Sequence, residues 1–136
     1  MNQVRLIGRY WVPVVAYATL IFYGSSLSHP EDTFPSFLEG ISDKVLHMLE
    51  YGLLGVLCYR AFGSAAGAWG GRYALPLAIA LAIFYGFTDE LHQALVPERE
   101  ADGWDFLADA GGATIGTVAW HLVRQMRDRP GMSRPA

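Results

Sequence analysis

The 136-residue chain predicts an all-α fold, a transmembrane four-helix bundle with both termini in the cytoplasm. Three observations carry that expectation. Hydrophobic residues make up 52% of the chain and charged ones only 17%, against about 25% charged in soluble domains. The apolar residues gather into four runs whose helical length approaches the ~30 Å hydrocarbon core of a bilayer. Arginines collect at one set of run ends and acids at the other, the asymmetry of the positive-inside rule. Residues 1–124 form one membrane domain and 125–136 a basic cytoplasmic tail. Mean hydropathy is only +0.22 because the tail and one polar stretch dilute it.

The first run, Tyr10 to Leu27, follows Arg5 and Arg9 and contains Pro13. A basic start ahead of an apolar run also fits a secretory signal peptide. Its Gly24–Ser28 stretch is a poor cleavage site, however, and the tyrosines within it suit a retained anchor. Residues 28–42 hold Pro30 and Pro35 and read as a loop. Ser36 and Glu39 have capping-box spacing there. Phe34, Phe37, Leu38 and Ile41 either lay that turn on the membrane or make aromatic contacts in a solvated loop.

Ser42 suits the N-cap of a second helix from Asp43 to Phe62. Asp43, His47, Glu50 and Tyr51 share its first face, which is polar for two turns and apolar beyond. Gly63 to Arg72 reads as a flexible turn. A third helix runs from Tyr73 to Leu95 and stays uncharged until Asp89 and Glu90. Asp89, His92, Gln93 and Val96 lie on one stripe, with Glu90 partly aside. Pro97 ends the helix, a charged hairpin follows, and Asp102 caps a fourth helix from Gly103 to Val123. There Asp105, Asp109, Gly112 and Gly116 follow at spacings of four, three and four residues, along one helical stripe. The glycines form a GxxxG pair, whose ordinary role is close backbone packing.

With the arginines inside, the polar ends of the second, third and fourth helices converge on the outer leaflet face. Ionisable groups at membrane depth are costly and mark functional sites. No basic stripe for nucleic acid is present, and the lone Cys58 lies in an apolar run as a packing residue. Tyr10, Trp11, Trp69, Tyr73, Trp104 and Trp120 suit an interfacial aromatic belt. His29 and His121 lie away from the cluster. The glycine-rich turn lacks a phosphate loop's lysine, and nothing ties Ser25, Ser26 or Ser28 to a histidine as a nucleophile.

Three sets of residues resemble the VanZ-like family of small bacterial membrane proteins: Asp43, Lys44, His47 and Tyr51; Asp89, Glu90, Gln93, Pro97 and Arg99; and Asp105, Asp109, Gly112 and Gly116. Asp109 stands where the family commonly has Asn. The resemblance covers residues 42–116. It implies a multi-pass protein of the bacterial cytoplasmic membrane, with a phenotype of resistance to the glycopeptide teicoplanin. Membrane lipids, a lipid-linked cell-wall precursor or a glycopeptide are the partners it suggests.

Three uses fit the cluster. Asp43, Lys44, His47, Tyr51, Gln93, Arg99, Asp105 and Asp109 form a binding site. Alternatively, Asp89 and Glu90 act as an acid/base pair on a lipid-linked precursor, with Arg99 clamping a phosphate or carboxylate. Or a salt-bridge network of Asp89, Asp105 and Arg99 only specifies helix packing. His47, His92, Asp89 and Glu50 carry metal-donor atoms, but no tight ligand pair such as HExxH occurs. No metal and no cofactor are therefore expected.

Overall fold

The computed structural model describes residues 2–28, 42–99 and 101–128. The expected capping box at Ser36 and Glu39, and the tail beyond Asp128, lie outside these residues. Among the described residues the fold is all-helical: α1 (Gln3–Ser25), α2 (Asp43–Ala65), α3 (Gly67–Arg72), α4 (Ala74–Gln93) and α5 (Gly103–Arg127).

The helices differ from the sequence expectation chiefly at their ends. α1 starts at Gln3 rather than Tyr10, since the Asn2 side chain accepts from the Val4 N–H at 3.4 Å. Arg5 and Arg9 favour helix and simply extend it. Gly63 to Arg72 is not a flexible turn. α2 continues to Ala65, Gly67 takes φ 69°, and a short helix follows at once. That positive φ is open to glycine without the steric cost a side chain would bring. Asp102 caps α5 as expected, accepting from the Trp104 N–H at 2.9 Å. Between α4 and α5 the chain turns tightly, with Glu98 at φ 64°.

α1, α2 and α4 are long and apolar enough to cross a membrane. α5, at 25 residues, has the length but falls short of that apolarity. Its polar residues Asp105, Asp109 and Thr117 are buried in the bundle, while Leu107, Ile115 and Leu122 face outward.

α2 is the central helix, packed against α5, α4 and α1. The core is built largely of small side chains, including Ala61, Ala74, Ala78, Ala82 and Ala113, around Ile21, Leu54 and Cys58. Large residues such as Val12, Leu20, Phe84 and Ile115 point outward, the distribution expected where lipid rather than water is the solvent. α2 and α5 run parallel. Hydrogen bonds join Lys44 to Asp105, His47 to Asp109 and Tyr59 to His121, partners 61, 62 and 62 residues apart. This constant offset requires glycine where the backbones meet. A Cβ on Gly116 would lie 2.7 Å from Gly52 Cα and 2.8 Å from its carbonyl oxygen, and one on Gly112 would run into the Met48 backbone.

α1 and α4 are likewise parallel, with Ser25 bonded to Asp89 and Ala18 to Tyr85. The polar residues therefore gather at one end of the bundle. The start of α1 and the end of α5 lie at the other, where Tyr10, Arg60, Trp120, Arg124 and Arg127 border a cavity of about 360 Å³.

Replacing Gly116 by Val should overpack the α2–α5 contact and cost about 1–3 kcal/mol. Gly111→Ala, whose Cβ would meet nothing within 4 Å, should leave the thermal midpoint unchanged or raised. Circular dichroism melts of both variants in detergent check this, and equal midpoints would contradict the close approach.

Candidate functional site

The centre of the polar end is a hydrogen bond between α2 and α5. His47 Nδ1 lies 2.8 Å from Asp109 Oδ1. Asp109 is fully buried, and its other oxygen, Oδ2, has no hydrogen-bond partner. Gly86 of α4 makes room for it. A Cβ there would sit 3.2 Å from Asp109 Cβ, 3.3 Å from Asp109 Oδ2 and 3.1 Å from the Tyr51 ring. Tyr51 is itself fully buried, with its hydroxyl unpartnered.

Toward the rim, Lys44 bridges Asp102, at 2.7 Å, and Asp105. The Lys44 side chain keeps 42% of its surface exposed, so the ammonium can reach both acids and solvent. Asp43 stands outermost, 72% exposed and 4.0 Å from His47 Nε2. The Lys44 ammonium holds the Asp102 carboxyl below the usual aspartate range, and the Trp104 N–H adds to this.

On α4, Asp89 and Glu90 face different neighbours, because consecutive helical positions do not share a direction. Asp89 accepts from Ser25 Oγ at 2.6 Å and from Gln93 Nε2 at 3.2 Å. Glu90 does not point aside, as the helical stripe suggested. It is buried, its Oε2 accepts the Asp102 N–H at 3.0 Å, and its Oε1 has no partner. α4 has neighbours on more than one side, so a single inward stripe undercounts its buried positions.

Arg99 donates from Nη2 to Gln93 Oε1 at 2.9 Å. Among the described residues it pairs with neither Asp89 nor Asp105, so the salt-bridge network expected of those three is replaced by the chain Arg99–Gln93–Asp89–Ser25. Nor do His47, His92, Asp89 and Glu50 converge as a donor set. His92 belongs to the α1 side, 2.9 Å from Ser26 Oγ and stacked on Phe22 at 4.4 Å between ring centroids.

α1 is thus a fourth contributor that the sequence reading missed. Ser25 and Ser26 gave no signal beyond lying at the correct end of their helix. His121, to which no role was assigned, pairs with Tyr59 at 2.7 Å near the opposite end.

These features define a class: a small helical membrane protein whose helices bury a polar cluster at one end of the bundle. The VanZ/LLP1 family model matches residues 4–124, and the chain belongs to that family. The match extends the resemblance from the central motifs to nearly all the described helices. No curated protein and no solved structure gives a significant match to the chain.

Asp109→Ala should leave the His47 ring buried without its partner and destabilise the fold by about 1–3 kcal/mol. Asp109→Asn, which keeps an acceptor oxygen, should cost less. Thermal melts of the two in the same detergent rank them.

The Asp102 link carries a pH signature. Its folded pKa lies below the unfolded value of about 3.9. Its stabilisation is therefore present above that value and is lost as pH falls through the folded one. The melting difference between the parent and Asp102→Asn should be constant between about pH 7 and pH 5 and shrink below about pH 4. A difference unchanged at about pH 3 would contradict the pairing.

Proposed function

We propose that this chain is a multi-pass protein of the bacterial cytoplasmic membrane with both termini in the cytoplasm. Its polar end faces the outer leaflet and binds a lipid-linked or cell-wall-related ligand, and its phenotype is glycopeptide (teicoplanin) resistance. The observation that carries the reading is the polarity of the bundle. Arg60, Arg124 and Arg127 cluster at one end, the end the positive-inside rule assigns to the cytoplasm. The buried acids and amide lie at the other.

Lys44 and Arg99 stand at the rim of that outer end and suit an anionic group such as the phosphate of a lipid-linked precursor. Tyr51, His47, Gln93 and Asp109 lie deeper, where they orient what the rim admits. Asp43 and Asp105 frame Lys44. Asp89 and Glu90 serve binding by holding Ser25, Gln93 and the Asp102 backbone in place.

The test is glycopeptide susceptibility of a sensitive host expressing the parent, Asp89→Asn and Arg99→Ala, with membrane abundance measured for each. The parent should lower susceptibility, and Arg99→Ala should lose most of that effect at equal abundance. Should the parent leave susceptibility unchanged, the resistance phenotype does not extend to this chain. If Arg99→Ala retains full protection, the rim is not the binding surface.

A further inference from the structure

We infer that His47, Glu90 and Asp109 form a binding site for a divalent transition metal of the zinc or manganese class. All three residues are buried, and they come from α2, α4 and α5. A nitrogen of His47 and a carboxylate oxygen from each acid lie within 4.8 Å of one another. A tetrahedral ion with bonds of about 2.1 Å sets its donor atoms about 3.4 Å apart, so side-chain shifts of about 1 Å close the set.

Spacing of acids alone would not carry this. The second observation is that both carboxyls keep an oxygen with no hydrogen-bond partner, Glu90 Oε1 and Asp109 Oδ2. Buried polar atoms are almost always satisfied, and an orphan calls for a specific explanation, of which a bound ion is one. Tyr51, also orphaned at its hydroxyl, shares with Asp109 the space left by Gly86. The charge balance points the same way. Among the described residues Lys44 pairs with Asp102 and Asp105, whereas Asp109 meets only His47 and Glu90 is in no ion pair. A dication supplies the missing charge. Imidazole together with two carboxylates suits zinc or manganese better than calcium or magnesium, which prefer all-oxygen shells. Binding through Nδ1 leaves His47 neutral with its proton on Nε2; a doubly protonated ring releases one proton to solvent to reach that state, and no oxidant or reductant is needed.

A second set, Asp43, His47 and Asp105, uses the same histidine. Asp105 is already occupied by Lys44 and Asp43 is 72% exposed to solvent, so this set has no orphaned buried atoms to carry a site. The inference concerns the metal alone and stands whether or not a lipid-linked ligand docks at the rim.

The experiment is elemental analysis of the full-length protein purified in detergent, stripped with chelator and re-equilibrated with zinc or manganese separately. The parent should retain roughly one equivalent and gain thermal stability over the stripped form. Glu90→Gln and Asp109→Asn should bind at least about tenfold more weakly, while the exposed Asp43→Asn retains the metal. Helicity by circular dichroism shows that each variant is folded before its metal is counted. Failure of the parent to take up either ion overturns the proposal without reference to the variants. Retention by folded Glu90→Gln and Asp109→Asn, or loss in Asp43→Asn alone, overturns the assignment to the buried triad.

Discussion

The approach of α2 to α5 is the constraint on which the polar end depends. The two helices run parallel at a nearly fixed offset, and that offset is possible only because Gly52, Gly112 and Gly116 carry no side chain where the backbones meet. In lipid there is no hydrophobic drive between helices, so close packing and buried hydrogen bonds must hold them. Both appear here in one register. Moving along the contact, Lys44 meets Asp105, His47 meets Asp109, glycine meets glycine, and Tyr59 meets His121. A slip of one turn would break the hydrogen bonds and the steric fit together. The glycines set the distance and the polar pairs set the register.

The third face follows the same logic. α4 presents Ala74, Ala78, Ala82 and Gly86 at every fourth position, all buried. That small-residue stripe lets α4 lie close enough for Gly86 to touch both Tyr51 and Asp109. One turn further on, the stripe gives way to Asp89, Glu90 and Gln93, which therefore enter a space already closed by α1, α2 and α5. The acids are buried because their helix was brought close by alanines, not because acids favour the interior.

Much of this was legible in the sequence. The apolar runs gave the long helices, Asp102 gave the start of α5, and the GxxxG spacing gave a packing face. The convergence of the polar ends followed from helix direction alone. What could not be read was which side chains meet. Ser25 and Asp89 are 64 residues apart, and no local pattern links them. Glu90 reads as partly aside because a helical stripe assumes one buried face, whereas α4 meets α1, α2 and α5. Gly63 to Arg72 looked flexible because glycine lowers helix propensity. Yet only the positive φ at Gly67 calls for a glycine, and the helix on either side of it does not.

The distribution of unmet hydrogen bonds separates a structural network from a site. A network kept only for packing specificity satisfies its members, since a half-satisfied one is worse than an apolar core. The outer half of the cluster is internally satisfied, with Lys44, Asp102, Asp105 and the Trp104 N–H all engaged, while Lys44 keeps a solvent-facing side for the rim. The α1 side is likewise satisfied, where Ser25, Gln93 and Arg99 complete the surroundings of Asp89. The deficits fall between these two shells, at Tyr51, Glu90 and Asp109. Full satisfaction around an unsatisfied middle is the arrangement of a support holding a binding position open. It also explains why both carboxylates are retained at depth, where either as a neutral apolar residue would pack at lower cost.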